Sequence, residues 1–294
     1  MNLNSETICG YEVSSQMKRV WNTELALLDA FIDVCHRNNL RYYLMSGTLL
    51  GAVRHEGFIP WDNDLDVAMP REDFDKLLII GPTAFSEPFF FQTPQTESGR
   101  FFQTYAKICH SLTTGRSKSE YDLGINCGIF IDVFSLDKLP NSRVVRKCFL
   151  FHLNTICKMK RYCFNIPPKK GAINKLKYNL QKGLYVIKYK SPNASHLFDI
   201  YQKAAGKYSL QRKKYWADLT FGYNPKGVWL VSDWEETCPL VFEGRQCCVP
   251  KKFHPILSHQ YGNYMEFPTD KSTHDYYVFD PDTPYLIYFE QQKR

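Results

Sequence analysis

Residues 43–74, YLMSGTLLGAVRHEGFIPWDNDLDVAMPREDF, set two chemical devices side by side. In Asp62-Asn63-Asp64-Leu65-Asp66 an acidic side chain recurs at every second position, and Leu65, Val67, Ala68 and Met69 follow between and after them. That alternation predicts a strand with Asp62, Asp64 and Asp66 on one face. Like charges so close repel, and a bound cation removes the cost. Carboxylate oxygens with no softer donor beside them suit Mg²⁺ or Mn²⁺ rather than zinc. Upstream, Ser46-Gly47-Thr48 stands between the apolar strand Tyr42–Met45 and the helix-like run Leu49-Leu50-Gly51-Ala52-Val53. A small-residue turn that opens a helix offers backbone N–H groups and a positive dipole end to a phosphate. A phosphate cradle followed by a cation-binding strand makes a nucleotide-dependent transferase the leading expectation.

The flanking sequence builds a mixed sheet around this stretch. From about Gln16 to Asn39, Val20, Leu27, Leu28, Phe31, Ile32 and Cys35 fall at helical spacing, so that helix packs on the sheet begun by Arg41–Met45. Arg71–Ile80 reads as a helix, and 88–93 and 102–110 as strands. Gly128-Ile129-Phe130-Ile131-Asp132-Val133-Phe134 is a short apolar run of the kind a buried central strand shows, with one carboxylate in its middle. A lone carboxylate there costs several kcal/mol (about 2–7) unless it is paired or metal-bound. Asp132 alone would read as a structural, hydrogen-bonded residue; beside an acidic strand in need of a partner it reads as the third metal carboxylate. Asp64 and Asp66 are the expected pair of ligands. Asp62, directly after Pro60-Trp61, reads equally as a further ligand and as a turn residue. Ser46, Gly47 and Thr48 are the expected nucleotide- or phosphate-binding turn, and Arg54, His55 and Lys107 are candidate phosphate contacts.

At 294 residues the chain can bury a sizeable core. Hydrophobic content of 44% with 23% charged residues is ordinary for a globular protein, whereas 15% aromatic is high. The opening MNLNSETICGYEV has neither a basic n-region nor an apolar h-region, and no run is long enough to span a bilayer. Ten scattered cysteines without a CxxC pair fit reduced thiols of the cytosol better than a disulfide framework or a zinc site.

The net charge of +7 is unevenly spread: from Lys138 to Lys190 there is no Asp or Glu, while Lys and Arg recur throughout. This segment reads as two helices split at Asn165-Ile166-Pro167-Pro168. The second has Ile173, Leu176, Leu180, Leu184 and Ile187 on one stripe among Lys175, Lys177, Lys182 and Lys188. Two readings stand: an ordinary helix packed on the core, or a surface that docks on an anionic membrane or an anionic acceptor. No nucleic-acid-binding module accompanies the charge. From Tyr215 onward short aromatic strands are expected, with a hairpin over Leu240–Pro250 and a helix from about Phe253 to Tyr261.

The run SGTLLGAVRHEGFIPWDNDLDVAMPREDFDKL, residues 46–77, resembles the signature of the LicD family, whose members include bacterial phosphocholine transferases and the vertebrate fukutin-type enzymes. Gly128–Leu136 and VFEGRQCCVPKKFHPILSHQYGNYMEFP, residues 241–268, fit the same pattern. Asn63 stands where relatives commonly carry another Asp, and alternation turns it away from Asp64 and Asp66. The resemblance implies an α+β, nucleotidyltransferase-like fold: a small mixed sheet flanked by helices. Residues 1–137 would form the catalytic core, 138–210 a basic helical insertion, and 211–294 the part that completes the same domain. It also implies transfer of a phospho-alcohol, phosphocholine from CDP-choline above all, to a hydroxyl of a cell-surface glycan precursor such as a lipid-linked glycan, releasing CMP. Mg²⁺ on Asp64, Asp66 and Asp132 would bridge the donor's diphosphate, with Asp132 as general base. A choline head group would call for an aromatic cage, for which Tyr215, Trp216, Phe221, Tyr223, Trp229 and Trp234 are dense enough, although core packing is the expected role of most of them. The expected location is cytoplasmic, peripheral on the inner face of the plasma membrane. A D-x-D glycosyltransferase using a nucleotide-sugar and a non-catalytic binding member of the fold are the rival readings.

Overall fold

The computed structural model describes residues 2–117, 120, 123–164, 166, 172–189, 193–269, 271 and 277–292. Of the break expected at 165–168 only Ile166 falls within them, and the side chains of Ile173 and Lys188 lie outside the description. In chain order the elements are β1 (Glu6–Ile8), β2 (Tyr11–Val13), α1 (Ser15–Arg37), β3 (Tyr43–Leu44), α2 (Ser46–Arg54), β4 (Asp66–Pro70) and α3 (Arg71–Ala84). Next come β5 (Phe89–Gln92), β6 (Ala106–His110), β7 (Thr114–Ser117), β8 (Ile129–Leu139), α4 (Arg143–Cys163), α5 (Ala172–Tyr189) and α6 (Ala194–Ala205). The chain ends in β9 (Tyr215–Asp218), β10 (Val228–Leu230), β11 (Thr237–Phe242), β12 (Arg245–Pro250), α7 (Phe253–Tyr261), β13 (Tyr277–Asp280) and α8 (Tyr285–Gln292). The fold is α+β.

Seven strands form one sheet, ordered β10-β9-β8-β4-β3, with β6 on β8 and β5 beyond it. The long β8 is its spine. It pairs with β4 in parallel along one edge; β6 (at Ile129–Val133) and β9 (at Leu136–Leu139) share the other, both antiparallel. Strands from both sides of the α4–α6 segment therefore meet on one sheet. α1 packs Trp21, Leu25, Leu28 and Phe31 into the core as a 3.6-residue period requires, and Ser14 caps it by accepting from the Met17 N–H at 3.1 Å. Helices α4 and α6 form a second core with Phe149, Leu153, Ile156, Leu197, Phe198 and Tyr201.

The acidic stretch departs from expectation in one respect: the strand starts only at Asp66, and Asp62–Leu65 run into it without a strand partner. β3 is two residues long because α2 begins at Ser46, so the pairing ends with the Met45 N–H on the Asp66 carbonyl, 3.1 Å. The alternation of faces survives: Asn63 and Leu65 are buried, whereas Asp62, Asp64 and Asp66 are partly open. The tryptophans among the residues dense enough for a cage serve the core, the role expected of most of that set. Trp234 packs edge-to-face with Trp229 (5.4 Å), Trp216 (6.3 Å) and Tyr43 (5.2 Å), and Arg146 covers Tyr215 at 4.6 Å. Phe221 and Tyr223 are exposed.

Candidate active site

Residues directly opposite each other in a sheet project to the same face. The pairings Asp66↔Asp132 and Lys107↔Asp132 thus lay Asp66, Asp132 and Lys107 in one row across β4, β8 and β6. The Asp132 N–H donates to the Leu65 carbonyl at 3.0 Å, which holds the acidic segment on β8 even before β4 begins. Above the row, α2 starts with Ser46 at φ +49°, a left-handed conformation that an L-residue holds only under constraint. The turn closes on the acidic segment at two points. Thr48 Oγ1 accepts from the Asp66 N–H at 2.8 Å, and a Cβ on Gly47 would stand 2.6 Å from Asp62 Oδ2. Only glycine lets the carboxylate come so near.

Ser46, Gly47, Arg54, Asp62, Asp64 and Asp66 line one cleft of about 630 Å³, whose opposite wall is the segment from Tyr261 to Pro268. Arg54 spans it, donating to the Tyr264 carbonyl at 2.8 Å and standing 5.2 Å from the Phe267 ring. Tyr261, on α7, reaches in and shares a hydrogen bond with Ser46; burial and the charges of Asp66, Asp62 and Asp64 keep its hydroxyl protonated. A second cleft of about 700 Å³ lies toward Tyr43, Lys138 and Trp234. There Glu72 lies 3.2 Å from Lys138 and 3.8 Å from Arg41.

The acidic cleft is not balanced in that way. Burial, then Asp64, Asp132, Asp62 and Asp218, push the Asp66 carboxyl well above the ordinary range. Asp62 rises through burial, against hydrogen bonds from Asp64 and the Asn63 N–H. Burial lifts Asp132 to about 6, and Lys107, 3.6 Å away, restrains the rise. His55 is pressed down to about 4 by burial and by Arg54, whose Nε donates to His55 Nε2 at 2.9 Å.

Of the residues expected here, Ser46, Gly47, Arg54, Asp62, Asp64 and Asp66 converge on the cleft, and Asp132 stands beside Asp66 beneath it. Three sit elsewhere. Thr48 is buried and committed to the Asp66 backbone, and His55 stacks on Phe267 outside the cleft lining at 5.6 Å. Lys107 is 3% exposed, set against Asp132 and the Phe130 ring. Two residues escaped the sequence reading. One is Tyr261. The other is Glu24, in the middle of α1: it is 1% exposed, its Oε2 has no hydrogen-bond partner, and the nearby charges of Asp64, Asp62 and Asp132 bear on it. One signal for Glu24 was available, since it occupies a position of the apolar stripe between Trp21 and Leu28.

The donor set fits a hard divalent cation in kind. It is all carboxylate and crowded, with Lys107 3.6 Å from Asp132, and Glu24 adds a buried oxygen without a hydrogen-bond partner. Among the described residues no three Asp, Glu, His or Cys side chains come close enough together to hold a metal ion.

Residues 39–162 match the family model for the LicD/FKTN/FKRP nucleotidyltransferase domain. The chain is 27% identical over 270 residues to the lipopolysaccharide cholinephosphotransferase LicD of Haemophilus influenzae, covering 86% of this chain and 93% of that protein. It is 45% identical over 42 residues to the human ribitol 5-phosphate transferase FKRP, 14% of this chain and 8% of that one. Over 114 residues it is 25% identical to mannosyltransferase regulator 4 of Saccharomyces cerevisiae, 38% of this chain and 9% of that one. Residues 39–162 thus match a LicD-type nucleotidyltransferase domain, and Ser46, Gly47, Asp64, Asp66 and Asp132 all lie within it.

Proposed function

We propose that this protein transfers a phospho-alcohol, phosphocholine from CDP-choline, to a hydroxyl of a cell-surface glycan precursor and releases CMP. The observation that carries the reading is the in-register pair Asp66–Asp132, set beneath a cleft that Ser46 and Gly47 open on the other side. Named transferases of phospho-alcohols among the relatives support it. Residues 211–294 complete the catalytic domain in this reading, since β9 and β10 extend its sheet.

Asp64, Asp66 and Asp132, with Asp62 beside them, would hold Mg²⁺ or Mn²⁺, which when bound offsets charge on the diphosphate and on the leaving nucleotide. The chain's own residues do the rest. The Ser46–Gly47 turn and Arg54 bind and orient the donor's phosphates. Asp132 takes the proton of the acceptor hydroxyl as its oxygen bonds to the phosphorus distal to cytidine. The bond from that phosphorus to the bridging oxygen breaks, and CMP leaves with the electron pair. Lys107 holds Asp132 in place and limits its basicity.

Among the described residues no helix is long and apolar enough to cross a membrane. The reading places the enzyme in the cytoplasm, working on a lipid-linked acceptor at the inner face of the plasma membrane, with residues 138–190 in peripheral contact. The test is nucleotide release with Mg²⁺ from CDP-choline, CDP-ribitol and CDP-glycerol, beside UDP- and GDP-sugars. CMP from a CDP-alcohol is the expected product. UDP or GDP release instead would move the protein to glycosyl transfer, and no turnover of any donor would overturn the assignment.

A further inference from the structure

An α-helix advances about 100° per residue, so the faces of α5 follow from its numbering. Counted from Leu176, Leu180, Leu184 and Ile187 fall within an arc of about 80°, and Tyr178 and Tyr185 lie about 180–200° away. The structure puts these two faces to opposite uses. Tyr178 and Tyr185 are 9% and 3% exposed, whereas Leu176, Leu180, Leu184 and Ile187 are 72%, 65%, 58% and 78% exposed. The tyrosines fasten the helix to α4: both rings pack on Tyr162, at 5.3 and 5.6 Å, and the Tyr178 hydroxyl donates to the Arg161 carbonyl at 3.3 Å. The core-packing reading of the apolar stripe is therefore excluded by the helix's own orientation. The aliphatic stripe faces away from the protein, and on α4 Phe151 is likewise 75% exposed.

A contiguous apolar stripe turned to solvent marks an interaction surface. Its flanks say what kind. Lys175 and Lys182 border the stripe on one side and Lys177 on the other, within a segment of fourteen Lys and Arg and no Asp or Glu from Lys138 to Lys190. A protein groove would be expected to present acids to such a rim; an anionic lipid surface offers apolar depth and negative charge together, in the same plane. We infer that the exposed face of α5 inserts Leu176, Leu180, Leu184 and Ile187 into the interfacial region of an anionic membrane, with the flanking lysines at the lipid head groups. The inference rests on the reading above for its purpose, access to a lipid-linked acceptor, and on the helix alone for its physics.

The test is co-sedimentation of the full chain with vesicles of phosphatidylcholine containing about a third phosphatidylglycerol, against phosphatidylcholine alone. Wild type is expected to bind the anionic vesicles at low salt and to lose most of that binding as salt rises. Leu180→Ser with Leu184→Ser should weaken binding about tenfold or more, with unchanged circular dichroism and thermal unfolding because both sites are exposed. Changing Lys175 and Lys177 to Gln should weaken binding to anionic vesicles and leave the salt-resistant part. Equal binding by the Leu180/Leu184 variant, or no wild-type binding at low salt, overturns the inference. So does a wild-type dimer in gel filtration that the Leu180/Leu184 variant turns into a monomer while vesicle binding stays as it was. CMP release in the absence of vesicles is expected to be the same in wild type and the Leu180/Leu184 variant, so failure of membrane binding and failure of the transferase reading can be told apart.

Discussion

The two faces of the central sheet carry buried charge on opposite terms. Successive residues of β8 point to opposite sides, so Asp132 belongs to one face and Ser135 and Asp137 to the other. Behind the sheet Arg71 is 1% exposed and its guanidinium is fully engaged. Nε and Nη2 donate to Asp137 at 2.6 and 3.0 Å, Nη2 to Ser135 Oγ at 2.6 Å, and Nη1 to Gln202 Oε1 at 2.6 Å. That network ties α3, β8 and α6 together, and each group is answered inside the chain. In front, Asp62, Asp64, Asp66, Asp132 and Glu24 are gathered together, Lys107 stands 3.6 Å from Asp132, and the aspartate charges add to the burial that raises Asp66 and Glu24. The difference separates structural charge from functional charge: a buried ion matched by its own chain holds the fold, and one left in excess calls for something from outside.

Three substitutions would break or sharpen this contrast. The largest effect belongs to Asp66→Asn, expected to lower CMP release on the order of 10⁴-fold, about 5 kcal/mol of barrier, while the protein stays folded. The same variant carries a pH signature. The Asp66 carboxyl is raised in the folded state, so its protonated form adds stability that is complete below the ordinary carboxylate range and is lost as pH rises through the raised value. In EDTA, Asp66→Asn should therefore be the more stable protein near neutrality, and the gap should close toward about pH 4. A variant that is less stable than wild type at neutral pH would place Asp66 with the structural charges.

On the opposite face Arg71→Met should cost about 3–5 kcal/mol in denaturant unfolding, since Asp137 is left buried without its cation. A loss of under about 1 kcal/mol, the range of a surface pair, would end the distinction drawn here. The smallest effect is at Glu24→Gln. Removing a buried negative charge with an unmet oxygen should raise metal-free stability by roughly 1–2 kcal/mol, seen as a shift of a few degrees in calorimetry. Destabilisation there would show that Glu24 is satisfied within the fold.

Much of this site was legible because its signals are local. The Ser46-Gly47-Thr48 turn, the alternating aspartates and a carboxylate inside an apolar strand are each readable within a few residues, where backbone geometry dictates side-chain direction. The details that went astray depend on neighbours. The strand shortens to Asp66–Pro70 because β3 gives way to α2, and no property of Asp62–Leu65 announces that. Thr48, chosen as a phosphate contact, is drawn instead to the Asp66 backbone.

By itself the sequence determined the α+β class, the turn, the acidic motif and their likeness to the LicD signature, because these are matters of period and spacing. Only the tertiary structure decided that Asp66 and Asp132 are strand neighbours, that Lys107 answers one of them, and that Glu24 and Tyr261 arrive from elements some 40 residues before and almost 200 after the acidic motif. It alone decided, too, that the aliphatic stripe of α5 faces outward while Tyr178 and Tyr185 face in. A helical period fixes which side chains share a face; what that face meets is set by the packing of everything else.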